Sequence, residues 1–134
     1  MEDKMGSFNI LAVDDEPANL ELYKEILSSM TQGEFFTASN GEEALEVVAE
    51  NKVDLIVLDL VMPKYDGIQF IERFKSFNNE IPVVVVTGFS HRYSKRDLWC
   101  RGAFEFIEKP FELDDFRSVC LNAVLYREKY LATS

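Results

Sequence analysis

Four consecutive apolar residues, Leu55-Ile56-Val57-Leu58, end in Asp59 and are followed by Leu60-Val61-Met62-Pro63. A run with no polar alternation has no face to give to water, so it suits a strand covered on both sides, as in a parallel sheet. In an open sheet of that kind, ligands gather outside the carboxyl ends of the strands. Asp59 stands at such an end. A carboxylate there either carries chemistry or caps the following turn, and this position alone leaves both open.

The rest of the chain alternates around that strand. Phe8 to Val13 is a short apolar run ending in Asp14-Asp15, and Pro17 follows where a helix begins, because its missing N–H costs nothing in a first turn. Leu22, Tyr23, Ile26, Leu27 and Met30 recur at helical spacing as one buried stripe, with Leu20 at its edge and Thr31-Gln32-Gly33 closing it. Phe35 to Thr37 is a second strand. Asn40 reads as the N-cap of a helix from Gly41 to about Glu50, with Glu43 as its reciprocal partner and Ala44, Leu45 and Val48 inward. After the Asp59 strand, Pro63-Lys64-Tyr65-Asp66-Gly67 is a turn, and Phe70, Ile71 and Phe74 form the stripe of a third helix that Asn78 and Asn79 end. Pro82 to Val86 is another all-apolar run, β-branched and leading into Thr87-Gly88. Ser90 to Arg101 is a polar, basic helix with Leu98 as its core residue and Gly102 as its cap. Phe104 to Ile107 is the last strand, ending in Glu108-Lys109-Pro110. A helix from about Leu113 to Tyr130 turns Phe116, Val119, Cys120, Ala123 and Val124 inward.

Five strands alternating with five helices predict an α/β fold, a doubly wound five-stranded parallel sheet with right-handed crossovers and the order 2-1-3-4-5. The length of 134 residues, 47% hydrophobic and 28% charged, fits one domain, residues 1–134 with a core of about 7–128, that buries an ordinary core without staples. Lys and Arg number 14 against 24 Asp and Glu, a net charge of -10. That balance argues against a sequence-independent nucleic-acid binder, which carries a positive surface, and suits a cation site instead. Cys100 and Cys120 lack metal-ligand spacing. With no signal peptide and no apolar run approaching a membrane span, they read as free thiols of a cytoplasmic protein, away from any membrane.

In the order 2-1-3-4-5, strands one, three, four and five deliver their carboxyl ends to one edge, and the winding reverses beside strand one. Asp14, Asp15, Asp59, Thr87 and Lys109 therefore converge, although they are spread along the chain. Three crowded carboxylates repel one another and cost stability unless a cation neutralises them. Hard oxygen ligands with an incomplete shell favour Mg²⁺, or Mn²⁺, which keeps waters and accepts phosphate oxygens. The set resembles a phosphoryl-transfer centre with Asp59 as nucleophile and with Lys109 and Thr87 orienting the moving group.

These residues carry a resemblance. Asp14-Asp15, Asp59 with Met62-Pro63 and Asp66-Gly67, Thr87-Gly88, and Lys109-Pro110-Phe111 together resemble the receiver domain of two-component response regulators, over essentially the whole chain. The resemblance implies a flavodoxin-like (βα)5 fold, Asp59 as phosphoacceptor, and a metal bound by Asp15, Asp59 and the backbone carbonyl of Val61, with Asp14 acting mainly through a metal-bound water. It implies that Lys109 pairs with the phosphoryl group, that Thr87 swings to it, that Phe106 is the switch aromatic, and that the Lys109-Pro110 bond is cis. The family often has Tyr at the switch position; Phe106 has no polar handle and is driven by burial alone.

The function expected is that of a phosphoacceptor module, not an enzyme, that takes a phosphoryl group from a sensor histidine kinase or a phosphotransfer protein. Its output surface is expected on the fourth helix, last strand and fifth helix, serving a downstream protein or a homodimer. There Arg92, Lys95, Arg96 and Trp99 share one helical stripe, and Leu98 facing inward turns Trp99 outward beside Phe106. The competing reading buries Trp99 and leaves the basic residues as a solvated face. His91 reads as a solvated residue. Two other classes stand beside the favoured one: a Mg²⁺-dependent aspartyl-phosphate phosphatase, which usually needs an acid where Val61 stands, and a receiver-like interaction domain without phosphotransfer. Val61 and Phe89, each two residues past a site residue, are apolar where many relatives have polar side chains that place the hydrolytic water, so slow dephosphorylation is expected.

Overall fold

A computed structural model describes residues 7–60, 67–76, 80–88 and 95–133, with the side chains of Lys95 and of residues 128–133 outside that description. The elements alternate as β1 (Ile10–Val13), α1 (Pro17–Leu27), β2 (Phe35–Ala38), α2 (Gly41–Glu50), β3 (Leu55–Asp59), α3 (Gly67–Lys75), β4 (Val83–Thr87), α4 (Lys95–Cys100), β5 (Glu105–Glu108) and α5 (Leu113–Thr133). All strand pairs are parallel, and the order is β2-β1-β3-β4-β5, as the alternation predicts. The three central strands β1, β3 and β4 are buried residue by residue, which is why they show no polar alternation.

Side chains on a strand alternate between faces, and the two cores sort accordingly. Leu11, Val13, Ile56, Leu58, Val83 and Val85 pack with Phe70, Ile71, Phe74 and Leu98, so α2, α3 and α4 cover one face. Ile10, Ala12, Leu55, Val57, Val84 and Val86 pack with Tyr23, Ile26, Leu27, Phe116 and Cys120, so α1 and α5 cover the other. Continued by one step, the parity sends Asp14, Asp59 and Lys109 out on the α1–α5 side and Thr87 on the other.

Several details depart from expectation. Leu22 is 40% exposed rather than part of the α1 stripe, while Met30 is buried although α1 ends at Leu27. Leu45, Val48 and Val119 are half-buried, at the margins of their cores. Asn40 caps α2 by accepting the Glu43 N–H at 2.9 Å, but the Glu43 carboxylate reaches one residue further back, accepting from Ser39 N–H at 2.8 Å and Ser39 Oγ at 3.0 Å. The expected α4 start at Ser90 lies outside the described residues; Gly102, at φ 113°, closes the helix as expected, in a conformation that side chains other than glycine's disfavour.

At the strand-start edge a polar tie joins distant segments. Asp54 accepts Asn9 N–H at 2.8 Å on one oxygen and Arg127 Nη1 at 2.8 Å on the other. The Asn9 side chain in turn accepts Glu34 N–H and donates to the Lys52 carbonyl, so β1, β2, the start of β3 and the end of α5 are held together.

Candidate functional site

The sheet's other edge gathers the reactive groups. Asp14 follows the last residue of β1, and its N–H still bonds the Ala38 carbonyl of β2 at 3.1 Å, so the strand geometry carries it to the edge. Asp59 ends β3 and is 6% exposed; Asp14 is fully buried and Asp15 exposed. Ligand oxygens of the three acids lie within 4.8 Å of one another. Lys109, just past β5, donates from Nζ to Asp59 Oδ2 at 3.2 Å, and its N–H bonds the Thr87 carbonyl at 2.8 Å. The Lys109-Pro110 bond is cis, as the resemblance implies.

Gly67 shapes the exit of β3. A Cβ there would come within 2.8 Å of the Asp59 carbonyl oxygen and of Leu60 Cα, and its N–H donates to the Leu60 carbonyl at 3.1 Å. Only glycine lets α3 begin this close to the strand end that presents Asp59.

Among the described residues, three donors hold Asp14. Its Oδ1 accepts Glu16 N–H at 2.9 Å, and its Oδ2 accepts Asn19 Nδ2 at 3.2 Å and the Tyr23 hydroxyl at 3.1 Å. Burial, then the charge of Asp14, pushes the Tyr23 phenol well above its usual range. Neither Asn19 nor Tyr23 stands out as a site residue in the sequence, where Tyr23 belongs to an apolar stripe. The signal was there in its chemistry: a buried phenol needs an acceptor, and α1 leaves the sheet at the acid pair.

The arrangement suits a hard cation. The acids offer anionic oxygens at ligand spacing, one of them solvent-facing, and among the described residues no sulfur or imidazole lies in the cluster. Thr87 is 1% exposed at the end of β4 and shares its sheet face with Val85, which pairs in register with Phe106. Phe106 itself is half-buried against the α2–α4 core. Trp99 is 49% exposed while Leu98 is buried, so the helix turns as the spacing predicts; Arg101 pairs with Glu72 of α3 at 2.6 Å. Val61, Phe89, His91, Arg92 and the Lys95 side chain lie outside the described residues. An apolar groove of about 250 Å³ runs beside Asp59's lysine, between Asn19, Leu22 and Tyr23 of α1 and Lys109, Pro110, Phe111 and Leu113.

The family model of the response regulator receiver domain matches residues 10–120. The chain belongs to that family. This receiver domain is 32% identical over 113 residues to sporulation initiation phosphotransferase F of Bacillus subtilis, covering 84% of this chain and 90% of that protein. It is 35% identical to the response regulator MprA of Mycobacterium leprae, over 90% of this chain and 52% of MprA, and 29% identical to the probable C4-dicarboxylate response regulator DctR of Bacillus subtilis, over 91% of this chain and 54% of DctR. The chain thus spans about half the length of those two relatives. Among solved structures it superposes on the response regulator TrrA of Thermotoga maritima, determined in complex with Mg²⁺ and BeF, with a TM-score of 0.77 and 33% identity, covering 87% of this chain and 98% of that one. A receiver domain from Clostridium thermocellum gives a TM-score of 0.82 at 30% identity, covering 92% and 98%. Among the described residues, no helix is long and apolar enough to cross a membrane.

Proposed function

We propose that this receiver domain is a phosphoacceptor signalling module in which Asp59 takes a phosphoryl group from a sensor histidine kinase or phosphotransfer protein, and the face of α4, β5 and α5 then changes its affinity for a downstream protein or a second copy. The observation that carries this reading is the meeting of Asp59 with two other acids and the Lys109 ammonium at one sheet edge. A Mg²⁺ or Mn²⁺ ion held by Asp15, Asp59 and the Val61 carbonyl, with Asp14 through water, would neutralise charge on the phosphoryl oxygens.

The chain's own residues do the rest. A carboxylate oxygen of Asp59 attacks phosphorus in line with the donor imidazole; the P–O bond forms as the P–N bond breaks, and the imidazole takes the electron pair. Lys109, already at Asp59, moves its charge onto a phosphoryl oxygen. The Thr87 hydroxyl donates to another, and Phe106, on the same sheet face, fills the space the threonine leaves. The groove between α1 and the Lys109–Leu113 segment suits the donor's docking, because it is apolar, open and adjoins the acceptor. Trp99, exposed on α4 with Lys95 on the same helix, supplies the anchor of the output face, and Phe106 lies on β5 of that face.

Intact-mass analysis tests the assignment. With Mg²⁺ and acetyl phosphate, the chain is expected to gain one acid-labile phosphoryl group, and Asp59→Asn or EDTA to abolish the gain. Labelling that persists in the variant, or proceeds equally in EDTA, overturns it.

A further inference from the structure

We infer that the Tyr23 hydroxyl sets how tightly the acid cluster holds a divalent cation, acting as a fixed partial counter-charge on Asp14 that a bound cation has to share. The inference rests on the metal reading proposed above.

The core fixes the phenol. The Tyr23 ring is 1% exposed, packed in the α1–α5 core with its centroid 5.6 Å from that of Phe116. The ring also borders the groove beside Lys109, and its hydroxyl meets Asp14 Oδ2 at 3.1 Å. Orientation of that carboxylate does not depend on it. Glu16 N–H holds Oδ1, and Asn19 Nδ2 holds Oδ2, so one donor on each oxygen remains when the phenol is removed.

What the phenol adds is compensation of charge. A donated proton draws density from the carboxylate, and the effect is larger in a buried group than in a solvated one. In the metal-free site the bond is at full strength. A cation drawing density from the same carboxylate weakens the bond, and by linkage the bond weakens the cation's hold to the same degree. Tyr23 therefore stabilises the empty cluster at the expense of the loaded one. It is a positioning residue in the charge sense, and its removal moves the two states in opposite directions.

Tyr23→Phe keeps the ring and its packing. For the purified chain, calorimetric titration with Mg²⁺ and Mn²⁺ is paired with melting curves in EDTA. The variant is expected to melt several degrees lower without metal, yet to bind metal about three- to tenfold more tightly, which is about 0.7–1.4 kcal/mol. A near-ultraviolet difference spectrum on metal addition, recorded in a Tyr65→Phe background because Tyr65 follows Asp59 by six positions in the sequence, is expected to show a tyrosine band that Tyr23→Phe removes. Unchanged or weaker metal binding by the variant overturns the inference. So does the absence of the tyrosine band, which needs no altered Tyr23 and is read even where the variant does not fold. A wild-type chain that binds no divalent cation overturns the metal reading itself.

Discussion

Asp59→Asn is expected to raise the melting temperature of this receiver domain in metal-free buffer, by a modest amount that the site's charges determine. The Asp59 carboxylate lies within 4.8 Å of ligand oxygens of Asp14 and Asp15 and 3.2 Å from the Lys109 ammonium. At an effective dielectric of about 20, each acid repels it by ~3–4 kcal/mol and the lysine attracts it by ~5 kcal/mol. Asp15 is exposed, which roughly halves its share through solvent screening. The Coulomb terms then nearly cancel. What decides the sign is the cost of a carboxylate charge kept almost out of water, of which asparagine is relieved; set against the amide's own need for partners, this leaves ~1 kcal/mol. For 134 residues at about 2.1 cal/mol/K each, the shift is about 3–4 °C upward. Millimolar Mg²⁺ is expected to close or invert the gap, because the wild type gains a neutralised cluster and the variant has one ligand charge fewer. Differential scanning calorimetry in EDTA and in Mg²⁺ reads both. A variant that melts at or below the wild type in EDTA refutes the reasoning, since the Lys109 attraction would then outweigh repulsion and burial together.

Three further outcomes follow from burial. Trp99 is the chain's one tryptophan and is half exposed, so its emission is expected to be red-shifted and open to acrylamide, and Trp99→Ala to cost less than about 0.5 kcal/mol while leaving Asp59 phosphorylation intact; blue-shifted, quencher-resistant emission would place it in the core. In native buffer one thiol, that of exposed Cys100, is expected to react with a disulfide reagent, while Cys120 waits for unfolding. Burial pushes the Cys120 thiol from 9.0 up to about 12. Its folded value is the higher one, so its contribution to stability is whole below pH 9 and declines as pH rises toward 12, where Cys120→Ala is expected to flatten the curve of stability against pH.

The sheet order and the strand-end convergence were legible because both rest on periodicity. An all-apolar run declares a strand covered on both faces, and a parallel order then dictates which residues share an edge, so Asp14, Asp59 and Lys109 follow without any contact being known. The lapses occur where a contact, not a period, decides. Leu22 has helical spacing with the core but sits at the margin of α1, where the Lys109–Leu113 segment leaves a groove instead of closing over it. Glu43 skips Asn40 because its carboxylate finds both an N–H and a hydroxyl on Ser39. Tyr23 looks apolar by position and acts through the single atom that hydropathy ignores. The pairing of Arg127 with Asp54 joins residues with no local relation, and no pattern in either stretch announces it.

That pairing also bears on how α5 would tilt. Arg127 is clamped near the C-terminal part of the helix to the start of β3, through an acid that also grips β1, whereas Leu113 at the opposite end borders Lys109. Were the helix to tilt, its pivot would lie at the quiet edge of the sheet. Fourteen residues of α-helix separate the two points, about 21 Å, so a tilt of about 5° around Arg127 carries Leu113 by about 2 Å while the pivot stays in place. A displacement at the acid edge would thereby be expressed as a change of angle along the length of α5.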